Sequence, residues 1–422
     1  MLELQRIREQ KDEMIKLFDA RNIDVSEWLN EVLELDESRR KAQGKLDDSL
    51  AEANKLAKSI GLLFKEGKQA EANELKAKTS ELKEASKQLK EEEAQIQERI
   101  NEILYQVPNV PNSTVPKGKT DEDNEVVMTK GEVPELGENN LPHWELAKKY
   151  NLIDFELGVK ISGAGFPVYL GKGAKLQRAL INFFIDEAEK AGFQEVIPPL
   201  LVNEASGFGT GQLPDKEGQM YHDATDNLFL IPTAEVPITN IFRDVILDGA
   251  NFPIKKTGYT PCFRREAGSY GKDVRGLNRL HQFDKVEIVQ VVHPDNSYQR
   301  LDEMVEHVKS LLEKLELPYR VLRLCGGDLG FTSALTFDLE VYSAAQERWL
   351  EVSSVSNFET FQANRLKLRF RENGGKPKLA HTLNGSALAL PRIVAALLEN
   401  HQTADGINIP EALRPYTGFD KI

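Results

Sequence analysis

The chain has 422 residues, 40% of them hydrophobic, which is more apolar sequence than one hydrophobic core usually holds, so we predict two or three domains. The formal net charge of −13 disfavours a protein that coats nucleic acid without selectivity, although it permits a local basic patch. No segment has the pattern of a secretion signal or a membrane span, and 2 cysteines are too few for a four-ligand zinc site. We expect a cytoplasmic protein with no membrane partner, no bound zinc and two buried free thiols.

The N-terminal part of the chain carries two stretches with coiled-coil spacing. In one, apolar residues alternate steps of four and three, at Leu46, Leu50, Ala53, Ala57, Ile60 and Phe64. In the other, they recur every seventh residue, at Leu75, Leu82, Leu89, Ile96 and Ile103. Gly67 supplies a turn signal between them, which predicts an antiparallel helical hairpin. We assign residues 1–105 to this arm, whose helices of roughly forty residues would be on the order of 60 Å long.

Charge is distributed unevenly along this arm. Residues 39–90 contain 13 Lys or Arg and 8 Asp or Glu, a net charge of +5 inside a chain whose total is −13. Two interpretations stay open on charge alone. The arm could be a solvated coiled-coil flank used for oligomerisation, or it could present a surface that binds RNA.

A segment rich in proline and glycine separates the arm from the rest of the chain. It starts at Pro108 and Pro111, and we assign residues 106–172 to a linker that leads into the core. Residues 173–192 then have the apolar spacing of an amphipathic helix, and a proline-limited edge strand follows at residues 196–201.

Residues 173–422 are predicted to form an α+β domain. Its strand-like runs are mostly not separated by single crossover helices, which favours an antiparallel sheet flanked by helices over a doubly wound parallel sheet. The predicted strands are residues 228–231, 257–264, 280–292, 320–324, 335–341 and 348–352.

No Walker-type phosphate loop is found at residues 165–173, because the glycine spacing does not fit and glycine replaces the Ser or Thr. A nucleotide site must therefore be built in another way. Residues 263–276 read as a strand that ends in a cationic, glycine-rich loop, and the forked donors of Arg264 and Arg265 suit a phosphate group. Taken alone, this segment is more simply an ordinary surface hairpin.

Glu287 interrupts the strongly apolar run of residues 285–292. An unpaired carboxylate in such a strand would be costly, so Glu287 needs a cation. The sequence leaves open whether that cation is a neighbouring Lys or Arg or the ammonium group of a substrate.

Two further segments offer ligand-binding groups. Glu351 and Ser354 lie near a strand end and carry hard oxygen ligands suited to Mg²⁺, although an exposed strand terminus is the simpler interpretation. Residues 383–386 lead into a helix with Arg392 close to its start, so that the positive helix terminus and the guanidinium point toward one region. Alone, this second segment is merely a capped helix.

Together and in this order, these segments resemble the class II aminoacyl-tRNA synthetases in their seryl form. The matching segments are residues 263–266 (Phe-Arg-Arg-Glu) and 279–287 for motif 2, residues 385–392 for motif 3, the helix into Pro198 for motif 1, and residues 209–214, residues 231–237 and the helical arm as seryl-type features. The resemblance covers essentially the whole chain. Small departures at Asn112 and Asp215 concern recognition loops and not the chemistry.

The resemblance implies a ligase that activates L-serine with ATP to seryl-adenylate and transfers it to the 3′ end of tRNA(Ser), with tRNA(Sec) as a second candidate substrate. ATP would be a substrate, Mg²⁺ would assist, and motif 1 would hold two chains as a homodimer. Both steps need positioning and charge stabilisation and no protein nucleophile.

The resemblance also implies roles for individual residues. Arg264 and Arg392 would be the catalytic side chains, and Glu351 and Ser354 would hold Mg²⁺. The ATP-binding residues would be Arg264, Arg265, Glu266, Phe283, Glu351, Val352, Ser353, Ser354 and Arg392. The serine pocket would consist of Thr233, Ala234, Glu235, Arg279, Glu287 and Ser386. A pocket built for a hydroxyl group would reject alanine, because its polar groups would be left unpaired.

Two other classes of protein compete with this interpretation. A non-catalytic paralogue could keep the fold as an RNA-binding or regulatory module, but the presence of Arg264, Glu287, Glu351 and Arg392 speaks against it. A purely structural coiled-coil protein is disfavoured because most of the chain lies beyond the arm.

Overall fold

A computed structural model describes residues 1–137, 140–266 and 275–422. The backbone divides into two compact units. The hairpin unit consists of Leu2–Lys16 and Ile23–Pro108, and the core unit consists of Met1, Leu17–Asn22 and Asn109–Ile422. Across the described residues, no helix combines the length and the apolar character needed to cross a bilayer.

Three helices account for most of the N-terminal part of the chain: α1 (Leu4–Phe18), α2 (Ser26–Lys65) and α3 (Gln69–Leu104). The long helices α2 and α3 pack side by side along their lengths. Arg99 near the end of α3 pairs with Glu31 near the start of α2 at 2.8 Å, so the two helices run antiparallel. Gly67 lies between them with a φ of 76°, a backbone conformation that glycine adopts without strain. The predicted hairpin and its turn are confirmed.

The contact between α2 and α3 differs in detail from the predicted seam. On α3 the leucines of the seven-residue repeat are half-buried, whereas Ile103 of the same repeat is buried. The small residues three positions before the leucines, Ala72, Thr79 and Ser86, are buried as well. Across this row the hydroxyls of Ser49 and Ser86 lie 3.0 Å apart. On α2, Leu50 and Phe64 are 45% and 46% exposed, so they are not part of the seam. Small buried residues let the two helix backbones approach closely.

Eight strands of the core unit form one sheet in the described part of the chain. They are β1 (Glu125–Lys130), β2 (Gln194–Glu195), β3 (Ile254–Phe263), β4 (Gln282–Val292), β5 (Tyr319–Arg323), β6 (Leu335–Ser343), β7 (Arg348–Asn357) and β8 (His381–Ala389). Their order across the sheet is β1-β5-β6-β7-β8-β4-β3-β2. Every neighbouring pair is antiparallel except β2 with β3. The predicted α+β class with an antiparallel sheet is confirmed.

Helices flank this sheet. In chain order they are α4 (His143–Lys149), α5 (Phe155–Ile161), α6 (Gly171–Lys190), α7 (Glu204–Thr210), α8 (Glu235–Asn240), α9 (Ser297–Lys314), α10 (Phe361–Leu366), α11 (Leu390–Asn400) and α12 (Arg414–Thr417). The amphipathic helices α6, α9 and α11 bury side chains such as Phe184, Val308 and Leu397 in one cluster with the sheet. This cluster holds the sheet rigid behind the residues predicted to carry the chemistry.

Short strands complete the core unit. They are Ile153–Asp154 with Val168–Tyr169, Leu201–Asn203 with His222–Asp223 and Leu228–Leu230, Ile246–Asp248 with Arg369–Arg371 and Lys378–Leu379, and Gln402–Thr403 with Gly406–Ile407.

The segment predicted as a linker is more structured than its composition indicates. Helix α3 ends at Leu104, shortly before Pro108, but Val110 and Val115 are only 1% and 7% exposed, and β1 joins the large sheet as an edge strand. Residues 109–172 thus fall in the core unit. The thiols of Cys262 and Cys325 are free and buried, as expected.

Candidate active site

A cavity of about 480 Å³ lies where β4, β7 and β8 meet the start of α8 and the start of α11. It collects most of the side chains singled out from the sequence, although they come from widely separated parts of the chain. Those that line it are Thr233, Glu235, Arg264, Glu266, Arg279, Phe283, Glu287, Glu351, Val352, Ser353, Ser354, Ser386 and Arg392.

Strand β4 supplies three lining side chains by simple alternation. Phe283, Lys285 and Glu287 are two residues apart, so they project from the same face of the strand into the cavity. Their neighbours Val286 and Ile288 project into the apolar core on the other face. The alternating pattern places an aromatic ring, an ammonium group and a carboxylate in a row along the cavity.

Glu287 is only 1% exposed and has a cation beside it. Its Oε2 accepts hydrogen bonds from the Lys285 ammonium at 2.7 Å and from the Thr233 hydroxyl at 3.2 Å. The neighbouring lysine, one of the two alternatives that the sequence left open, thus contacts Glu287. Lys285 was not predicted as a site residue, although strand alternation would have found it.

Glu235 begins α8 and is buried beside Glu287. Burial and, to a smaller extent, the negative charge of Glu287 raise the pKa of Glu235 to about 7. Its Oε1 accepts a hydrogen bond of 2.6 Å from the side-chain amide of Gln362. The hydroxyl of Thr382 donates to the other end of that amide at 2.8 Å and so fixes its orientation. The sequence contains no local signal for Gln362, since it lies 127 residues from Glu235.

Arg264 follows β3 and lies against the aromatic ring of β4. Its guanidinium carbon is 5.1 Å from the Phe283 ring centroid, and its Nε donates to the carbonyl of Pro232 at 3.3 Å. Nearby, Arg279 and Glu266 form an ion pair of 3.0 Å. This pair joins a side chain predicted for serine to one predicted for ATP, and Arg279 is the more exposed partner.

Arg392, at the start of α11, is held by two backbone carbonyls. Its Nε donates to Asn278 at 3.2 Å and its Nη1 donates to Glu351 at 2.7 Å. The carboxylate of Glu351 lies 3.6 Å from the same guanidinium. These contacts fix the plane of a cationic fork at the rim of the cavity, a geometry that suits phosphate oxygens.

Glu351 and Ser354 are three residues apart on β7 and would face opposite sides of a regular strand. A β-bulge brings them to the same side: Glu340 of β6 pairs with Glu351 and Leu339 pairs with Ser353, so that Val352 has no partner across the ladder. The sequence gives no sign of this bulge.

Asp338 of β6 lies opposite Ser354 and was not predicted as a site residue. Burial and the negative charge of Glu351 raise its pKa well above the usual range of a carboxyl group. Its Oδ1 is buried, and no described residue donates to it. Asp338, Glu351 and Ser354 therefore bring hard oxygen atoms together, as a divalent cation such as Mg²⁺ prefers.

Two predicted residues do not line the cavity as the described residues define it. Ala234 is buried in a small apolar cluster with Ile238 and Val289. The side chain of Arg265 is exposed, and its backbone amide donates to the carbonyl of Gln219 at 2.8 Å. The predicted glycine-rich loop between β3 and β4 lies, over residues 267–274, outside the described part of the chain.

The antiparallel sheet and this cavity define a class II aminoacyl-tRNA synthetase core. Residues 219–401 match the family model for the tRNA synthetase class II core domain (G, H, P, S and T), and residues 1–111 match the one for the seryl-tRNA synthetase N-terminal domain. The serine–tRNA ligase of Salinibacter ruber is 53% identical, over 100% of this chain and 99% of the relative. The chain belongs to the seryl-tRNA synthetase family.

Solved structures agree with this assignment. Seryl-tRNA synthetase from Pyrococcus horikoshii, complexed with ATP, has a TM-score of 0.92 and 34% identity, with 100% of this chain and 99% of that chain covered. The cytoplasmic serine–tRNA ligase of Naegleria fowleri, in complex with AMP, has a TM-score of 0.87 and 28% identity, with 100% and 98% covered.

Proposed function

We propose that this chain activates L-serine with ATP to seryl-adenylate and transfers the seryl group to the 3′ end of tRNA(Ser). The observation that carries the proposal is the cavity, which has a buried end lined by Thr233, Glu235 and Glu287 and an open end lined by Arg264 and Arg392. The buried end suits a small amino acid with an ammonium and a hydroxyl group. The open end suits a nucleotide triphosphate. Family membership over the full chain supports the same activity.

At the buried end, we propose that Glu287 receives the ammonium group of serine beside its contacts with Lys285 and Thr233. Glu235 and Ser386 complete the pocket, and Arg279 exchanges Glu266 for the serine carboxylate. Because these groups are polar and shielded, an amino acid without a hydroxyl leaves them desolvated and unpaired. Serine is therefore preferred over alanine.

At the open end, we propose that Arg264 holds the α-phosphate, that Phe283 and Arg392 enclose the adenine, and that Glu266 accepts from its amino group. Arg392 also reaches the γ-phosphate. In-line attack by the serine carboxylate on the α-phosphate then needs positioning and charge stabilisation and no protein nucleophile.

We further propose that Glu351 and Ser354 hold Mg²⁺ with the bound nucleotide. The buried, unpartnered Oδ1 of Asp338 beside them supports a cation at this place. When bound, the ion neutralises negative charge on the phosphates. The chain's own part is to orient two oxygen ligands through the bulge at Val352.

For the partners, we propose that residues 1–105 form a tRNA-binding arm, residues 106–172 lead into the core, and residues 173–422 form the catalytic domain. The basic stretch at residues 39–90 supports RNA contact, with tRNA(Sec) as a second candidate substrate. Exposed Ile197, next to Pro198, and exposed Leu201, three residues after it, support a homodimer through motif 1. We place this dimer in the cytoplasm. Sedimentation at micromolar concentration distinguishes this dimer from a 47.5 kDa monomer.

The experiment that tests the function is exchange of labelled pyrophosphate into ATP by the purified chain. We expect exchange that requires both serine and Mg²⁺. Alanine and threonine, which remove the hydroxyl group or add a methyl group, are the matched controls. Comparable exchange with either control, or none with serine, contradicts the assignment.

A further inference from the structure

A buried polar network lies behind the open end of the cavity, and its centre is a contact between α4 and the end of α11. His143 and Glu399 are both fully buried. Glu399 Oε1 accepts hydrogen bonds from the His143 ring Nδ1 at 2.7 Å and from the His143 backbone amide at 2.9 Å. The hydroxyl of Ser343 donates to Glu399 Oε2. The carboxylate thus holds the imidazole in one orientation.

The other ring nitrogen of His143 reaches the segment that begins at residue 275. Its Nε2 accepts a hydrogen bond of 2.9 Å from the backbone amide of Leu277. Because Nε2 is the acceptor, the ring proton is on Nδ1, where Glu399 accepts it. The imidazole therefore bridges two groups: its Nδ1 donates to Glu399 and its Nε2 accepts from Leu277.

Gly276 shows how closely the histidine and this segment approach each other. A Cβ at residue 276 would lie 2.2 Å from His143 Nε2, and the φ of Gly276 is 65°. Both the space and the backbone conformation require glycine here. The segment is shaped to receive this histidine.

Gln346 makes a second connection from Glu399 to the same segment. Its amide nitrogen donates to Glu399 Oε1 at 3.0 Å, and its amide oxygen accepts from the side chain of Asn278 at 3.0 Å. The backbone carbonyl of Asn278 in turn accepts from Arg392 Nε. A continuous chain of hydrogen bonds thus runs from Glu399 through Gln346 and Asn278 to the guanidinium of Arg392.

We propose that His143, Gln346 and Glu399 are positioning residues for the nucleotide. They fix the backbone of Leu277 and Asn278, and through it the plane of Arg392. The proposal rests on the proposed function, in which Arg392 holds ATP. The serine end is fixed by different groups, Thr233, Lys285 and Gln362, so loss of the network weakens ATP binding and leaves serine binding nearly unchanged.

The test compares His143→Phe with His143→Gln in the pyrophosphate exchange assay and in calorimetric titration with ATP alone. Phenylalanine fills the space but leaves the Leu277 amide without its acceptor and removes one of the donors to Glu399, so we expect KM and Kd for ATP to rise about tenfold. KM for serine stays within about twofold. Glutamine offers one donor and one acceptor and is expected to restore ATP binding to within about threefold of the unmutated chain.

Val308→Ala is the control for stability, because Val308 is a fully buried residue of α9 that contributes to the same core and to neither end of the cavity. It lowers the melting temperature and leaves both KM values unchanged. If His143→Phe folds and its two KM values stay unchanged or rise together, the network is only structural and the proposal is wrong. Failure of glutamine to restore ATP binding also overturns it.

If His143→Phe does not fold, Gln346→Leu decides, because Gln346 is half-buried and its loss breaks only the second connection. We expect a rise of about threefold in KM for ATP alone, and an unchanged value overturns the proposal. If the unmutated chain shows no serine-dependent exchange, the proposed function fails instead. Calorimetric titration with ATP still tests the network in that case.

Discussion

The cavity and the hairpin present charged groups in opposite ways. In the cavity, Glu287 is 1% exposed and contacts both Lys285 and Thr233. In the hairpin, Lys55, Lys58 and Lys76 are exposed, and Lys78 forms an ion pair of 2.8 Å with Glu52 in which both side chains are open to water. The charged groups of the cavity are shielded from water, whereas those of the hairpin are solvated.

This difference determines how much one residue contributes. Removing one member of a buried charge pair leaves the other desolvated and costs about 3–5 kcal/mol, whereas an exposed pair contributes about 0–1 kcal/mol. The function of the cavity should therefore depend on single side chains. The function of the hairpin should be spread over many side chains and should weaken as salt is added.

The largest expected effect is that of Glu287→Gln. The amide keeps the shape of the side chain but has no charge for the ammonium group of serine or for Lys285. We expect serine-dependent exchange to fall at least about a hundredfold while the Kd for ATP stays within about twofold. Exchange kinetics and calorimetric titration with ATP measure the two quantities.

Asp36→Asn is the matched control, because Asp36 in the hairpin is also a buried carboxylate with cationic partners, Arg8 and Arg39. It should lower the melting temperature and spare the exchange reaction. If Glu287→Gln keeps full exchange activity, Glu287 is only a structural partner of Lys285, and the contrast between the two regions loses its main example.

A smaller effect is expected when Lys55, Lys58, Lys76 and Lys78 are all replaced by glutamine. Fewer counterions are then released on binding, so the Kd for tRNA(Ser) should rise about tenfold near 0.1 M salt and its salt dependence should flatten. Filter binding over a range of salt concentrations measures both. Serine-dependent exchange should not change, since the substitutions lie in the hairpin.

Removing negative charge from the hairpin, instead of positive charge, is the control for this second prediction. Glu71, Glu74 and Glu84 are exposed on the same helix as Lys76, and their replacement by glutamine should tighten tRNA binding. An unchanged Kd and salt slope in both variants would mean that the hairpin serves oligomerisation or stability.

The smallest expected effect concerns Glu235 and pH. Because its pKa in the folded chain is about 7, above the ordinary 4.5, the folded state binds more protons than the unfolded state between these values. The free energy of unfolding therefore decreases as pH rises through this window, by at most about 1.4 kcal/mol per pH unit. Glu235→Gln removes this dependence and can still accept from Gln362.

Melting temperatures at pH 5 and pH 8 provide the measurement. The melting temperature of Glu235→Gln, relative to that of the unmutated chain, should be higher at pH 8 than at pH 5. A difference that is flat with pH would show that Glu235 is not buried in the way described, and the dielectric contrast between cavity and hairpin would weaken.

Sequence patterns predicted the structure best in segments where a regular spacing of residues coincides with burial. The heptads of α3 predicted the hairpin, but Ala72, Thr79 and Ser86 were missed because small and polar residues do not register as apolar. The need of Glu287 for a cation was evident, and alternation along β4 would have identified Lys285.

Contacts between residues far apart in the chain could not be predicted from such patterns. Gln362 meets Glu235, and Asp338 meets Ser354, only because the sheet brings distant strands together. The strand β7 was predicted to span residues 348–352. In the structure β7 continues through Ser353, Ser354 and Ser356 to Asn357. These serines face the cavity or neighbouring strands.

The bulge at Val352 has a consequence for anyone who rebuilds this protein. Inserting one residue between Leu339 and Glu340 of β6 would give Val352 a partner, restore a regular ladder between β6 and β7 and turn Glu351 away from the side occupied by Ser354. Composition would be almost unchanged, yet the pair of oxygen ligands would be lost. A design that transplants β6 and β7 must therefore preserve the number of residues in both strands as strictly as the residue types.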